Sequence, residues 1–271
     1  MASTQSGNAA AHFAERVGRA WLAGLAGLGY CGSLVVESLY WLFLGPRVKQ
    51  TVRVGAVFAQ MMEIGIGAIP IVALLGAAIG AMLAIQGIYS LSIFGAESRV
   101  VFGIALSMTR EFAPLITGIL VAGRSGSALA ARLGIMTINQ EIDALTVMGI
   151  NPVRYLVVPA FIALVVMVPA LTFLSNVVGL WAGGLYVGIE LDMSMAAYVD
   201  QTIETLSVDD LMHGIWKSLI FAVLITVIGV ANGASVTGGA EGVGRVTTRA
   251  VVQSIMAIVV TDMIFAFVAT R

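Results

Sequence analysis

The sequence predicts an all-α polytopic membrane protein, and three observations carry that expectation. Hydrophobic residues make up 59% of the 271 residues and charged residues only 11%, against about 45–50% and about 25% in a soluble domain. The mean hydropathy is +0.99. Apolar runs of about 20 residues, the length that crosses a bilayer as a helix, recur along the chain. The same composition excludes disorder, which needs low hydrophobicity and high charge. Fourteen basic against fifteen acidic residues leave no cationic excess for nucleic acid. Glycine is abundant (31) and proline scarce (6), as closely packed membrane helices favour.

Residues 1–15 read as a polar N-terminal tail without a basic segment leading into a short apolar core, so no cleavable signal peptide is expected. Residues 16–271 read as one membrane domain. Its first apolar stretch, Trp21–Leu44, is long enough to cross, but Arg16 and Arg19 flank one end and Arg47, Lys49 and Arg53 the other. Basic residues beside spans stay in the cytoplasm, so crossing would strand one cluster. An interfacial or re-entrant helix over about 21–44 satisfies both clusters; a six-span chain is the alternative. Five spans are then expected at about 64–88, 100–122, 155–189, 215–236 and 251–269. The third is too long for one upright crossing, and Pro159 and Pro169 predict a single kinked helix.

With five crossings, Arg47, Lys49, Arg53, Arg124, Arg132, Arg154, Arg245 and Arg249 share the cytoplasmic side, together with the N-terminus. The outer side holds Glu190, Asp192, Asp200, Glu204, Asp209 and Asp210, with the C-terminus and the scattered bases Arg99, Lys217 and Arg271. Glu190–Gly214 alternates acids with apolar residues and predicts an amphipathic helix on the outer face. Thr137–Ile150 predicts a short cytoplasmic helix. Thr137 or Asn139 would cap it, Glu141 and Asp143 suit its first turn, and Ile142, Leu145 and Met148 recur on one face. Such a helix covers either the membrane interface or a cytoplasmic motor subunit, and the residues leave both open.

Soluble-enzyme motifs are missing. There is no P-loop and no H-E-x-x-H, and Thr247 breaks the one approach to G-x-G-x-x-G at Gly242. His12 and His213 fall on opposite faces, and Cys31 is the single cysteine, so no metal site is expected. Neither a cofactor nor catalysis is expected of this chain. Charges inside spans are the sharper signal. Arg110 and Glu111 sit within the second span and Asp262 within the last. Each costs about 2.5–3.5 kcal/mol at a helix centre, so each must face protein or a watery cavity. Arg110 and Glu111 point about 100° apart, and one is expected to pair with Asp262 while the other faces a polar cavity. Structural and pathway roles both stay open. Glu63 and Lys217 lie nearer span ends and are expected to snorkel. Small residues across Gly123–Gly134 suit close helix packing. Arg124 is expected at the cytoplasmic end of the second span, binding helix C-terminal carbonyls or lipid phosphate.

REFAPLITGILVAGRSGSALAARLGIMTINQEIDALTVMGINPVRYLVVPAFIA, from Arg110 to Ala163, and GRVTTRAVVQS, from Gly244 to Ser254, resemble the MlaE/YrbE permease family. These are the membrane subunits of lipid-trafficking ABC transporters that work with MCE proteins. The resemblance implies an interfacial helix plus five spans in the bacterial inner membrane. It implies a homodimer on two cytoplasmic ATPase subunits that hold ATP and Mg, a small STAS-type cytoplasmic subunit, and an MCE-domain ring on the outer face. The cargo it implies is phospholipid, moved between the inner membrane and the outer envelope to maintain lipid asymmetry. It places Arg110, Glu111, Lys217, Arg245 and Asp262 in or near the lipid cavity. It makes Glu141–Ile150 the ATPase-coupling helix, with Glu141, Asp143, Leu145 and Met148. Arg132 departs from the acidic residue that family members often carry there. The charges by themselves also suit an ion- or proton-coupled secondary transporter using Glu111 and Asp262, or a structural subunit with no cavity.

Overall fold

The computed structural model describes residues 18, 27, 29–42 and 53–269. Among them no strand occurs, and five helical segments are long and apolar enough to cross a membrane: Val54–Ser92, Glu97–Ile138, Val153–Glu190, Val208–Ala234 and Gly239–Val268. The expected polar tail lies outside the described residues. Of the expected interfacial helix, residues 29–42 are described and form α1. It is fastened at its far end: Asn151 Nδ2 donates to Glu37 Oε1 at 2.8 Å, and the Arg154 guanidinium lies 5.3 Å over the Trp41 ring.

Span 1 comprises α2 (Val54–Ile64), a tight turn at Ile66–Ala68 and α3 (Ile69–Ser92). Pro70 opens α3, and a proline lacks the N–H that would continue α2 through the turn. Span 2 runs from Glu97 through α4 (Val100–Ser107), a wide π turn at Met108–Phe112, α5 (Ala113–Val121), a second π turn at Ala122–Gly126 and α6 (Ser127–Ile138). The short helix α7 (Glu141–Val147) follows. Span 3 is a π turn at Val153–Val157 continued by α8 (Val158–Glu190), with Pro169 inside it. Then come α9 (Met195–Thr205), span 4 as α10 (Val208–Ala234) and span 5 as α11 (Gly239–Ala269).

Most spans are longer than the apolar runs predict. Hydropathy measures the stretch that tolerates hydrocarbon, whereas the helices continue past it. The connection expected over Gly123–Arg154 is helical to Ile138, and the glycine-rich connection expected over Thr237–Ala250 is helical from Gly239. The left-handed Gly238 (φ 87) and Gly239 (φ 70) confine that turn to a few residues. The amphipathic helix expected in Glu190–Gly214 is α9, started by Ser194, whose hydroxyl accepts from Ala197 N–H at 3.2 Å. Its Tyr198 is buried against α4 and α8, and burial pushes the phenol up to about 12. Thr137 and Asn139 do not cap α7. Thr137 belongs to α6 and bonds back to the Leu133 carbonyl, and Gln140 enters α7 through a left-handed φ of 58°.

Spans 1 and 3 run parallel and touch backbone to backbone: Gly76 faces Ser175, and Gly80 faces Gly179. Spans 2 and 4 are likewise parallel, with Thr109 against Gly214 and Gly126 against Ile225. The core between them gathers Val121, Leu164, Phe221, Ile225 and Ile258, while Leu74, Met82, Val260, Met263 and Phe267 point outward. This apolar exterior is what hydrocarbon requires, and close packing of small residues is what joins helices within it. The bundle therefore has a basic end, with Arg53, Arg132, α7, Arg154 and Arg249, and an acidic end with Glu190, α9 and Asp209.

A β-carbon at Gly80 would fall on the Gly179 backbone, so Gly80→Val forces the two helices apart. Overpacking of this kind costs about 1–3 kcal/mol. Thermal unfolding in detergent should show a clear loss of stability, and Leu74→Ala, on the exposed face of the same helix, should change it little.

Candidate functional site

The charges of spans 2, 4 and 5 converge. Pro114 starts this geometry: its ring excludes the normal helical bond to residue 110 and widens the backbone into the π turn Met108–Phe112, where Ala113 N–H reaches back to the Met108 carbonyl. The turn carries Arg110 and Glu111. Each finds a partner on α10. Arg110 Nε donates to Asp210 Oδ1 at 2.6 Å. Lys217 Nζ donates to Glu111 Oε2 at 2.6 Å and lies 3.0 Å from Asp262 Oδ1 on α11. Gly214 lets α10 pass directly over the Thr109 carbonyl, which brings these partners within reach.

Asp210 serves two elements. Its Oδ2 accepts from Ser207 N–H at 2.9 Å and from Ser207 Oγ at 2.7 Å, closing a capping box at the start of α10, while Oδ1 holds Arg110. Two cations thus meet three carboxylates. Lys217 is fully buried, whereas the Arg110 and Glu111 side chains are 42% and 37% exposed. Asp210 takes only the Nε of Arg110, leaving both Nη groups for another ligand. His213, one turn before Lys217, stacks edge-on against Phe265 at 5.8 Å.

Four expectations change. Neither Arg110 nor Glu111 pairs with Asp262; Lys217 does, and it is a buried bridge between two carboxylates rather than a snorkelling surface cation. The span-end position that suggested snorkelling disappears because α10 begins at Val208. Asp210, not expected in the site, was marked only by the Ser207-x-x-Asp210 spacing ahead of an apolar run. Arg245 does not join the group. It is exposed on α11 nearly five turns before Asp262, about 25 Å along the helix. Arg124 is not at a helix end. It lies within span 2, and it does donate to a helix C-terminal carbonyl, that of Ile64 at the end of α2, at 3.4 Å.

At the basic end, Glu141 and Asp143 occupy the first turn of α7, and no residue of this helix is buried. Leu145 is half-buried, while Val147 and Met148 are exposed. Among the described residues no group of three or more His, Cys, Asp or Glu is placed to hold a metal ion.

A family model described as Permease MlaE matches residues 57–268. A probable ABC transporter permease protein of Rickettsia prowazekii is 33% identical over 245 residues, covering 90% of this chain and 94% of its own length. One of Synechocystis is 37% identical over 204 residues, covering 75% and 77%. The intermembrane phospholipid transport system permease protein MlaE of Haemophilus influenzae is 35% identical over 208 residues, covering 76% and 79%.

Removing Lys217 leaves the largely buried Asp262 beside Glu111 with no cation between them. Breaking a buried pair costs about 3–5 kcal/mol, against about 0–1 kcal/mol for an exposed one. Lys217→Met should therefore lower the thermal midpoint sharply, and Arg110→Gln should lower it much less, because Arg110 is itself half-exposed and Asp210 keeps its two Ser207 hydrogen bonds. Adding Glu111→Gln and Asp262→Asn to Lys217→Met should restore most of the loss.

Proposed function

The chain belongs to the MlaE permease family of ABC transporter membrane subunits, and on that basis we propose that it forms the lipid pathway of a phospholipid transporter powered by a separate ATPase. The observation that carries this reading is the half-exposed pair Arg110 and Glu111. Apolar helix flanks both residues, so hydrocarbon is not a tolerable neighbour for them. In the proposed assembly a second copy of the chain closes over this face, and the pair lines the resulting cavity. The Nη groups of Arg110 bind the lipid phosphate as a charge-assisted fork, and apolar side chains of the surrounding spans receive the acyl chains. Lys217 and Asp262 hold Glu111 and the helices in place without touching the lipid. Arg245 stands apart and serves the mouth of the pathway at the basic end.

The basic end faces the cytoplasm in this reading, with the N-terminus there and the C-terminus in the periplasm of a bacterial inner membrane. Two ATPase subunits, carrying ATP and Mg, grip α7 through Leu145, Met148 and the acids Glu141 and Asp143. Their closure squeezes the dimer. A STAS-type subunit joins them, and an MCE-domain protein receives or delivers phospholipid on the outer face, in the service of outer-membrane asymmetry. No cofactor resides in the permease itself. An ion-coupled mechanism is disfavoured by Lys217, which engages both carboxylates that would carry the ion.

The test is lipid transfer by proteoliposomes holding the permease and its ATPase. Transfer should require ATP, and equal transfer without nucleotide would refute the reading. Arg110→Gln should lower it about tenfold, the scale of one charge-assisted hydrogen bond, with most of the stability retained. Met148→Asp should leave the fold intact and uncouple transfer from ATP hydrolysis.

A further inference from the structure

A second set of charges lies at the basic end, and its construction is the opposite of the first. α2 packs on α8, while α6 packs on α10 and α11, leaving a cleft between α2, α6 and the start of span 3. Three guanidiniums line it: Arg53, Arg124 and Arg132. Among the described residues every partner they have is neutral. Arg53 Nη1 donates to the Tyr155 hydroxyl at 2.6 Å and lies over its ring. Arg124 donates to the Ile64 carbonyl. Arg132 faces the side-chain amide of Gln60, and since a guanidinium can only donate, the amide oxygen is assigned to that side to accept from it. Among the described residues Glu63 is the one carboxylate on the cleft wall, and it is within ion-pair distance of none of the three. In the acidic-end site three carboxylates answer two cations; here three cations stand against one carboxylate.

The shape is amphiphilic. The inner part, about 100 Å³, is floored by Ile64, Leu129, Ala160 and Leu164 beneath Arg124 and Arg132. It opens into a vestibule of about 340 Å³ walled by Arg53, Arg132, Tyr155 and Pro159. That vestibule is at the lower end of ordinary ligand-pocket size. Cationic pockets between spans, at the side of the membrane where basic residues collect, suit phosphate-bearing lipid headgroups. An acidic protein side chain would use the guanidiniums but has no need of the apolar floor.

We propose that this cleft is a second lipid site, distinct from the Arg110–Glu111 pair, which holds the phosphodiester of an anionic phospholipid in the leaflet at the basic end. Arg132 and Arg53 grip the phosphate from two sides of the vestibule. Arg124 is held back by the α2 carbonyl and sets the field of the inner wall. Glu63 opposes the binding and tunes its strength. The site selects for net negative headgroups, because a zwitterionic lipid brings its own cation into a space that already has three.

The experiment is native mass spectrometry of the full-length protein in detergent, titrated with phosphatidylglycerol or phosphatidylcholine. The wild type should bind phosphatidylglycerol with at least about fivefold preference, the scale expected for one basic residue near an anionic surface. Arg132→Gln should abolish that preference, Arg132→Lys should keep most of it, and Arg110→Gln should leave it unchanged. Glu63→Gln should raise it, a gain that misfolding does not produce. Millimolar inorganic phosphate should not displace the lipid. Equal preference in the wild type and Arg132→Gln would overturn the proposal. So would displacement by phosphate, which marks a free-anion site. Loss of ATPase association in Arg132→Gln with lipid preference unchanged would also overturn it, assigning the cleft to a protein contact.

Discussion

Lys217 is an ammonium group that water does not reach, inside a bundle whose outer surface is hydrocarbon-like. Stripping such an ion of water costs several kcal/mol even after relaxation. Only good geometry offsets that cost, and here the geometry draws on three helices: Lys217 from α10, Glu111 from the π turn of span 2, and Asp262 from α11. A slip of any one helix by a single turn, about 5.4 Å, would break at least one contact. Lipid supplies no comparable penalty for sliding one apolar helix past another, since every register buries similar surface. The lysine therefore sets the register of spans 2, 4 and 5. Asp210 reinforces it by tying the first turn of α10 to Arg110.

The register also depends on a wide turn. Met108–Phe112 contains one residue more than a regular α-helical turn would, and Pro114 is its cause. The same device recurs before Pro159, where Val153–Val157 widens at the entry to span 3. In both cases a charged residue sits in the loosened backbone: Arg110 in one and Arg154 in the other. The proline thus turns a straight apolar rod into one that presents charge at a chosen height without a loop. No loop is tolerated at that depth against lipid.

Much of the architecture was legible in the sequence because hydrocarbon is a severe filter. Five spans, the single long helix that runs through Pro169, the amphipathic helix α9 and the short helix α7 all follow from composition and turn chemistry. The helix ends did not follow. Hydropathy sees Ile215 as the start of span 4, while Ser207 and Asp210 cap the helix a full two turns earlier. That error carried over to the site: it placed Lys217 near water and left Asp210 out. Pairing was equally hidden. Arg110, Glu111 and Asp262 were each recognisable as costly charges, but which carboxylate meets which cation depends on a π turn. Helical periodicity with 3.6 residues per turn does not foresee it.

The two charged sites, if both hold lipid as proposed, differ in how tightly their surroundings would hold it. In the acidic-end site Arg110 already has a carboxylate partner, so an incoming phosphate competes with Asp210 for one guanidinium and meets Glu111 beside it. On the proposed reading binding there is opposed at every step, so the lipid would leave as readily as it enters. A pathway requires this balance, since a site that holds its passenger tightly stops conduction. In the basic-end cleft the guanidiniums have, among the described residues, only neutral partners, and an anion bound there as proposed would displace nothing charged. The same residue type, with its counter-charge present in one place and missing in the other, thus yields a site suited to passage and a site suited to retention. That difference follows from the surroundings of each arginine and not from the lipid.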